Sequence, residues 1–257
     1  MEPTRIVISG ASRGIGAALA RLYAAPGVDL VLLGRDGERL AEQVALCRAK
    51  GAIAEAVLLD VRDRDGMAER LQALDAAAPV DLLVANAGVA LPTEGPLPDA
   101  ATAQGEIETN LLGALNTALP LVPAMVQRGR GQIALVSSLA AFAPLPSSPG
   151  YSASKAALLV YGLALRERLR AEGVQVNVVC PGYVDTDMGA RYRGWRPLAM
   201  SAEQAARRIR GGLARDQAVV AFPRRLALAA RASMLVPERL RRLGLAAFRF
   251  RIDPAER

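Results

Sequence analysis

Short apolar runs alternate along the chain with longer amphipathic stretches, and this alternation limits the possible folds most strongly. Runs of this kind predict strands that are buried on both faces, and the stretches between them predict helices. We predict seven strands, at 5–9, 29–33, 53–59, 82–85, 132–137, 174–180 and 218–222. A series of strand–helix–strand units predicts an α/β protein of Rossmann type, a doubly wound parallel sheet of about seven strands with helices on both faces.

The length and composition favour one domain. The chain has 257 residues, of which 52% are hydrophobic and 22% charged, which suits one large α/β core. There is no internal repeat and no linker, and the Pro/Ser-rich stretch at 144–150 is too short to separate domains. We therefore expect a single domain over 1–257, with a core at 1–223 and a C-terminal helical extension at 224–257.

Several classes of protein are excluded by composition. The chain contains no histidine, so imidazole catalysis and histidine-ligated metal sites are excluded. Its two cysteines, Cys47 and Cys180, lie far apart and do not form a disulfide framework. The first predicted strand begins at Arg5, which leaves no room for a signal peptide, and no apolar run approaches the roughly 18 residues of a membrane span. We expect a cytoplasmic protein.

The first strand is followed by a glycine-rich turn with the spacing Gly-x3-Gly-x-Gly. Glycine permits a sharp turn and the close approach of an anion to backbone N–H groups, and the N-terminus of the next helix stabilises that anion. The position after the first strand favours a dinucleotide pyrophosphate site over the alternative, a simple tight connection. The turn runs Ser9-Gly10-Ala11-Ser12-Arg13-Gly14-Ile15-Gly16.

A tyrosine and a lysine, Tyr151 and Lys155, lie four residues apart at the start of a predicted helix that ends near Arg170. This spacing places them on one helix face, so that the ammonium group can lie near the phenol oxygen and favour its ionised form. Such a phenol can exchange a proton near neutral pH. A surface pair is the alternative, but the chain has 30 arginines and only two lysines, so lysine is not its usual source of charge.

Together with polar residues after the other strands, these motifs resemble the short-chain dehydrogenase/reductase family in its compact single-domain form. The resemblance extends to about Pro223, and Ser9 stands where the family more often has threonine. The further matching positions are Asp60 after strand three, Asn86-Ala87-Gly88 after strand four, Asn110 in a long helix, Ser138 after strand five and Pro181-Gly182 after strand six.

The resemblance implies a catalytic set of Asn110, Ser138, Tyr151 and Lys155. Tyr151 would be the general acid in reduction and the general base in oxidation, and Ser138 would orient the substrate oxygen. Lys155 would lower the pKa of the phenol and bind the nicotinamide ribose, and Asn110 would hold a water in a proton relay. Two hydroxyl donors suit a carbonyl oxygen that gains negative charge as hydride arrives. No metal is required.

Some of these positions have structural alternatives. Asp60 and Thr186 can be turn or cap residues, and Asn110 can be an ordinary polar residue of a helix. Ser137 is the nearest rival of Ser138, but the family's serine lies about thirteen residues before the tyrosine, which selects Ser138.

The resemblance also implies the residues that bind the cofactor. Asp60 would accept a hydrogen bond from the adenine amino group, Asn86 would brace strand four, and Thr186 would meet the nicotinamide carboxamide. The full set is Gly10, Ser12, Arg13, Gly14, Ile15, Gly16, Arg35, Asp60, Val61, Asn86, Ala87, Gly88, Tyr151, Lys155, Pro181, Gly182, Val184 and Thr186.

The end of strand two predicts NADP(H) as the cofactor. Enzymes that favour NAD(H) commonly place an acid there, which binds the ribose hydroxyls and repels a 2′-phosphate. This chain has Gly34 followed by Arg35, and Arg13 lies in the glycine turn, so two guanidinium groups can converge on the phosphate. Solvated surface arginines are the alternative, and Asp36 can cap the next helix.

The C-terminal part carries the basic charge. From residue 207 onward there are 13 arginines and four acids, a net charge of +9 against +7 for the whole chain. No zinc or nucleic-acid motif accompanies them, so we expect no nucleic-acid partner. Helical patterns at 226–236 and 238–248 predict two helices. These would cover the core or a subunit interface of a homodimer or homotetramer, or else make peripheral contact with an anionic membrane surface.

The prediction is an oxidoreductase that moves a hydride between NADP(H) and a small-molecule carbonyl/alcohol pair. A catalytically idle NADP(H)-binding sensor or scaffold is the alternative, and the intact catalytic set argues against it. A sugar-nucleotide epimerase or dehydratase usually has another glycine spacing and a larger substrate domain. We expect the substrate pocket after Pro181-Gly182, where Tyr183, Met188, Tyr192 and Trp195 favour a hydrophobic or amphipathic compound.

Overall fold

The computed structural model of the protein describes residues 3–92, 99–239 and 251–253. The strands are β1 (Arg5–Ser9), β2 (Asp29–Gly34), β3 (Ile53–Leu58), β4 (Leu82–Ala85), β5 (Gly131–Val136), β6 (Val174–Pro181), β7 (Val184–Asp185), β8 (Tyr192–Arg193), β9 (Met200–Ser201), β10 (Val219–Phe222) and β11 (Arg251–Ile252). The α-helices are α1 (Gly14–Tyr23), α2 (Gly37–Arg48), α3 (Arg64–Ala77), α4 (Ala100–Ile107), α5 (Gly113–Ala118), α6 (Val122–Gln127), α7 (Pro149–Leu169), α8 (Asp187–Ala190), α9 (Ala202–Leu213) and α10 (Arg224–Ser233).

Seven strands form one sheet in the order β10-β6-β5-β4-β1-β2-β3, and every neighbouring pair is parallel. Val7 of β1 lies between Val31 of β2 and Leu83 of β4. The predicted Rossmann-type sheet is confirmed, and the strand ends differ from the prediction by at most one residue. The chain order reverses between β1 and β4, so a crevice is expected at the carboxyl ends of these strands.

Apolar side chains fill the space between the sheet and the helices on both of its faces. Ile6 of β1 belongs to one buried cluster with Leu40 of α2 and residues of α1 and α9. The next residue along the strand, Val7, belongs to a second cluster with Met67 of α3 and residues of α5 and α7. Because successive side chains of a strand point to opposite faces, a parallel sheet covered on both sides needs an apolar residue at nearly every position.

Aspartates begin three of the helices that surround the sheet. The carboxylate of Asp36 accepts a hydrogen bond from the backbone N–H of Arg39 at 3.1 Å, which confirms that this residue can cap the helix after strand two. Asp63 and Asp99 cap α3 and α4 in the same way. These bonds satisfy backbone donors that the first turn of a helix leaves without partners.

One helical stretch contradicts the expectation that no segment is long and apolar enough to span a membrane. Ala100–Gln127 passes that test by length and composition, with a mean hydropathy of 1.3 over its best window. Its Ala114, Ala118, Leu121 and Met125 are buried in the core beside the sheet. Only 39% of that window is buried, and a single stretch that passes this test is weak evidence for a membrane span.

The described parts of the C-terminal extension, 224–239 and 251–253, contact the rest of the molecule. The first predicted helical pattern, 226–236, corresponds to α10, which begins two residues and ends three residues before the predicted bounds. This helix contacts the 3-10 turn Leu139–Phe142 after β5. The second pattern, 238–248, lies almost entirely outside the described residues. Further on, β11 pairs antiparallel with β8, and Asp253 forms an ion pair with Arg193 at 2.6 Å. Two-residue strands of this kind have no periodicity that the sequence alone could reveal.

Candidate active site

A cavity of about 1730 Å³ opens at the carboxyl ends of the central strands. It exceeds the roughly 300 to 1,000 Å³ of a typical single-ligand pocket, so it has room for a cofactor and a substrate together. All the residues predicted to act in catalysis or cofactor binding line it, except Gly16 and Asn110. We call the part lined by residues 10–15, 34–39, 59–61 and 86–89 the cofactor half, and the part lined by 139–145, 183–193 and α10 the substrate half.

The glycine turn brings the backbone against the end of β4. Gly10 and Gly14 have φ angles of +64° and +59°, a left-handed conformation that favours glycine. A side chain on Gly10 would place its Cβ 2.8 Å from the Cα of Ala87. No side chain in the described part of the chain caps the N-terminus of α1, and Gly14 and Ile15 of its first turn line the cavity. This cradle fits the pyrophosphate of a dinucleotide.

Ser9 and Asn86 hold the glycine turn in place. The amide nitrogen of Asn86 donates to the carbonyl oxygens of Ser9 and Gly10, both at 3.1 Å. The Ser9 hydroxyl oxygen accepts hydrogen bonds from the backbone N–H groups of Asn86 and Ala87, at 3.1 and 3.2 Å. Ser9 therefore supplies a hydroxyl group, as the threonine more frequent at this position would. Asn86 braces the end of β1 against the segment after β4.

Ser137 and Ser138 have different partners. Ser137 is buried, and its hydroxyl donates to the carbonyl oxygen of Lys155 at 2.7 Å. Ser138 accepts a hydrogen bond from the backbone N–H of Ala140 at 3.1 Å, and its side chain is near enough to Tyr151 to lower the pKa of the phenol. Ser137 thus holds the backbone of α7, whereas Ser138 lies beside the phenol, as the family spacing predicts.

The ionisation of Tyr151 and Lys155 differs from the sequence-based expectation. Burial raises the pKa of Tyr151, and the nearby Ser138 side chain only partly opposes this. Burial also lowers the pKa of Lys155 to about 8. The Lys155 Nζ donates to the carbonyl oxygen of Val136 at 2.9 Å and lies 5.8 Å from the centroid of the Tyr151 ring. The two residues share a helix face, but desolvation, rather than the ammonium charge, has the largest effect on the phenol.

Asn110 lies behind the cavity wall. It sits in a π-helical turn, Glu108–Leu112, within the long helical stretch, and its side chain is fully buried. Its amide oxygen accepts from the N–H of Val89 at 2.7 Å, and its amide nitrogen donates to the carbonyl oxygen of Val89 at 2.9 Å and to the Ser154 hydroxyl at 3.2 Å. The side chain therefore ties this turn to α7 and to the segment after β4. The water relay stays a prediction.

Three arginines line the cofactor half, of which the sequence predicted two. Arg13 and Arg39 both bind the Oδ2 atom of Asp187, through Nη1 atoms at 3.3 and 2.8 Å. The hydrogen bond from Arg39 is the largest cause that lowers the pKa of Asp187. Arg35 lies 3.5 Å from the carboxylate of Asp60. Arg13 and Arg35 each have an acidic partner at the cavity.

Asp60 and Thr186 both have the structural roles that were the alternatives to cofactor binding. The Asp60 carboxylate accepts a hydrogen bond from the backbone N–H of Arg62 at 3.0 Å, as a turn residue does. The Nη2 atom of Arg62 lies 2.7 Å from the same carboxylate, and this side-chain bond is the main reason that the pKa of Asp60 falls to about 2. Thr186 caps α8 by accepting a hydrogen bond from the N–H of Gly189 at 3.1 Å. Both residues also line the cavity, so contact with a cofactor is compatible with these bonds.

Comparison with known proteins identifies the family. The family model for short chain dehydrogenase matches residues 4–197. The chain belongs to the short-chain dehydrogenase family. An "uncharacterized oxidoreductase" of Myxococcus xanthus is 39% identical over 238 residues, covering 91% of this chain and 93% of that protein.

Solved structures agree with this assignment. A short-chain dehydrogenase from Sphingobium yanoikuyae in complex with NADPH has a TM-score of 0.78 at 29% identity, with 98% of both chains covered. A short chain dehydrogenase from Mycobacterium paratuberculosis bound to NAD has a TM-score of 0.75 at 27% identity, covering 84% of this chain and 94% of that one. This chain is therefore an oxidoreductase of the short-chain dehydrogenase family with a Rossmann-type fold.

The substrate half of this short-chain dehydrogenase is built partly as predicted. Tyr183, Met188 and Tyr192 line it, and the rings of Tyr183 and Tyr192 meet edge to face at 6.5 Å. Trp195 was expected in the same wall, but it is 61% exposed and lies outside the lining, because the chain leaves the cavity after β8. Burial raises the pKa of both tyrosines, so both present neutral phenols to the cavity.

Sequence reasoning missed Arg39, Asp187 and the wall formed by α10. The position of Arg39 was accessible, because it lies four residues after Arg35, at the first turn of the capped helix α2. A helical spacing in the sequence could have indicated one face of α10, since the cavity residues Leu226, Ala229, Ala230 and Ser233 recur at helical intervals. That spacing was interpreted as a surface covering the core, because nothing in the sequence relates it to the cavity.

Proposed function

We propose that this short-chain dehydrogenase transfers a hydride between NADP(H) and a carbonyl/alcohol pair, with Tyr151 as the general acid and base. The observation that carries the proposal is the convergence of Ser138, Tyr151 and Lys155 on one cavity with the glycine turn. The bound cofactor would supply the hydride in reduction and accept it in oxidation. We propose a single catalytic domain, because α10 of the C-terminal extension lines the same cavity as residues of the core.

The ionisation of Tyr151 supports its role as a proton donor. Because burial raises its pKa, the phenol is protonated at neutral pH. When hydride adds to a carbonyl carbon, the carbonyl oxygen gains negative charge. The hydroxyls of Ser138 and Tyr151 together can stabilise that charge while the phenol gives its proton to the oxygen. In oxidation the same phenol must first lose its proton, which is where the Lys155 cation would contribute.

Asn110 and Gly88 support the proposed role of Lys155 as a positioned cation. A Cβ on Gly88 would lie 2.9 Å from the amide oxygen of Asn110 and 3.3 Å from the Lys155 Nζ, so all three groups meet behind the cofactor half. Asn110 would act as a positioning residue that fixes α7 through Ser154. We also propose that Asp60, Val61 and Thr186 contact the cofactor. Asp60 and Val61 line the cofactor half, and Thr186 lines the cavity next to Asp187, which binds the cofactor-half residues Arg13 and Arg39.

NADP(H) is proposed over NAD(H) because the cofactor half is rich in guanidinium groups. Arg13, Arg35 and Arg39 line it, and Gly34 stands where an NAD(H)-selecting acid would repel a 2′-phosphate. A cofactor 2′-phosphate bound there would contact Arg13 and Arg39, which also bind the Asp187 carboxylate.

The direct test of the proposed function is NADPH consumption with a panel of ketones, aldehydes, sugars, steroids and acyl-linked 3-keto compounds. Turnover of any of these compounds by the wild type, with loss of that turnover in Tyr151→Phe, supports the proposal. NADPH binding without turnover of any carbonyl or alcohol would instead favour the idle sensor. The intact set of Ser138, Tyr151 and Lys155 in one cavity argues against that alternative.

We expect the kcat/KM for carbonyl reduction to fall as pH rises through about 8, the pKa to which burial lowers Lys155. Below that pH the lysine is charged and stabilises the phenolate that forms as Tyr151 gives up its proton, and above it the charge is lost. The raised pKa of Tyr151 keeps the phenol protonated over the same range. The kcat/KM profile reports groups of the free enzyme, so it is the quantity to measure.

Lys155→Arg provides the control for this pH dependence. Arginine stays charged above pH 8 but has a different shape, so the variant should be less active at every pH and lack the alkaline decline. An arginine variant that declines with the same apparent pKa as the wild type would assign the decline to another group.

We propose a homodimer or homotetramer, because large apolar side chains are exposed on the long helices. Ile107, Leu112, Leu119 and Val160 are between 37% and 67% exposed. Sedimentation equilibrium should therefore give a mass at least twice the 27.0 kDa of one chain. A sample that sediments as a single chain at micromolar concentration would contradict this proposal.

The cytoplasmic location and the peripheral membrane contact also stay proposals. Leu228, Met234 and Leu235 are 55% to 88% exposed in a segment that contains Arg224, Arg225 and Arg231, which suits an anionic surface. A liposome pull-down with anionic and neutral vesicles tests the contact.

A further inference from the structure

We propose that α10 is a substrate-selecting wall, and that the substrate carries a bulky, uncharged apolar group next to the reacting carbon. This inference rests on the proposed function, because it concerns the substrate of the same cavity. The apolar group would lie in the substrate half, in front of α10 and of the segment after β5 that packs beside it.

The first observation is the face that α10 presents to the cavity. Leu226, Ala229, Ala230 and Ser233 line it, at the i, i+3, i+4 and i+7 positions of one helix face. Three of these side chains are small, and the Ser233 hydroxyl donates to the carbonyl oxygen of Ala230 at 2.7 Å. The face is therefore apolar and leaves space in front of the helix.

The second observation is that α10 is anchored to the walls of the cavity. Ala227 is buried in a cluster with Leu139 and Cys180, which also includes partly buried Leu226. The Arg231 guanidinium lies over the Phe142 ring, 4.6 Å from its centroid. A cation over an aromatic face is attractive, so this contact stabilises the docked helix. A fixed helix can select substrates by shape.

The cavity walls next to α10 are also apolar. Leu139, Ala140, Ala143 and Leu145 line the cavity after β5, and Met188 lines it on the other side. Near the catalytic end, the Tyr192 and Tyr183 rings are largely desolvated, which raises their pKa. A ligand that fills this space exchanges water for apolar contact, which is favourable in proportion to the apolar area that it buries.

The charged side chains of the substrate half already have partners. The Nη2 atom of Arg191 donates to the carbonyl oxygen of Ala90 at 2.8 Å, and Arg193 pairs with Asp253 at 2.6 Å. A carboxylate or phosphate on the substrate would have to displace one of these bonds. An uncharged apolar group needs no such exchange, so the chemistry of the walls favours it.

The first arm of the test measures kcat/KM with straight-chain methyl ketones lengthened one methylene at a time, and with acetone, cyclohexanone and decalone. Each buried methylene contributes about 0.8 kcal/mol, so kcat/KM should rise by about fourfold per methylene until the space is filled. Decalone should be preferred over acetone. A flat series, or a preference for a keto acid over the uncharged ketone of equal length, would overturn the inference.

The second arm places a large ring on the cavity face of α10. Ala230→Trp should lower the ratio of kcat/KM for decalone over acetone by at least tenfold, because the indole occupies the space in front of the helix. Leu228→Trp is the matched control, since Leu228 is 65% exposed on the same helix and lies outside the cavity lining. Its ratio should equal that of the wild type.

A milder variant keeps the test decisive where Ala230→Trp fails to fold. Ala229→Leu adds only an aliphatic side chain to the same face and should lower the ratio in the same direction. Equal losses for decalone and acetone in a folded variant, or an unchanged ratio, would overturn the role of α10 and leave the proposed function intact. A wild-type protein that turns over no carbonyl compound would instead overturn the proposed function, and this inference with it.

Discussion

Tyr151→Phe is expected to lower kcat for carbonyl reduction by roughly 10² to 10⁴-fold, the usual contribution of general acid catalysis. The substitution removes only the phenol oxygen, so the ring keeps its place on α7 near Lys155. Folding and NADPH binding should therefore be unchanged. Steady-state kinetics with a carbonyl substrate measures kcat, and a fluorescence titration with NADPH measures the Kd.

Tyr161→Phe is the matched control for this experiment. Tyr161 lies on the same helix, ten residues further along, and does not line the cavity. This variant loses the same atom from the same element and should keep the wild-type kcat. A Tyr151→Phe enzyme with near wild-type kcat and unchanged NADPH affinity would show that another group donates the proton.

The sequence predicts the sheet well because a buried parallel strand needs apolar residues on both faces. Such runs are short and end at turns, so β1 and β4 could be placed to the residue. The family resemblance likewise predicted the polar residues at the strand ends, and Ser138 and Tyr151 do line the same cavity. Each of these residues lies at a strand end or one helical turn from its neighbour in the site, and sequence spacing alone specifies such positions.

The parts that sequence could not predict depend on contacts between distant segments. Asp187 binds Arg13 and Arg39, which lie 174 and 148 residues earlier, and no local pattern relates these positions. The pairing of β11 with β8 is of the same kind. The burial that raises the pKa of Tyr151 also depends on distant segments, because spacing shows that a lysine is near but not how much water surrounds the phenol.

The second large effect concerns the choice of cofactor. Arg13 and Arg35 have side chains that are 61% exposed, and each has a carboxylate partner, Asp187 or Asp60, at 3.3 and 3.5 Å. Neither ion pair is short, so a phosphate can compete for both guanidinium groups. NAD(H) has no 2′-phosphate, so loss of the arginines should affect NADP(H) much more than NAD(H).

We therefore expect Arg13→Ala/Arg35→Ala to lower the preference for NADP(H) over NAD(H) by at least about a hundredfold, because hydrogen bonds to charged groups contribute about 1.5 to 3 kcal/mol each. Adding Arg39→Ala should lower the preference further. The measurement is kcat/KM for both cofactors, with Arg168→Ala as control, because Arg168 is exposed and far along α7 from the cavity residues. A wild type that prefers NAD(H), or a double variant with an unchanged ratio, would refute the NADP(H) assignment.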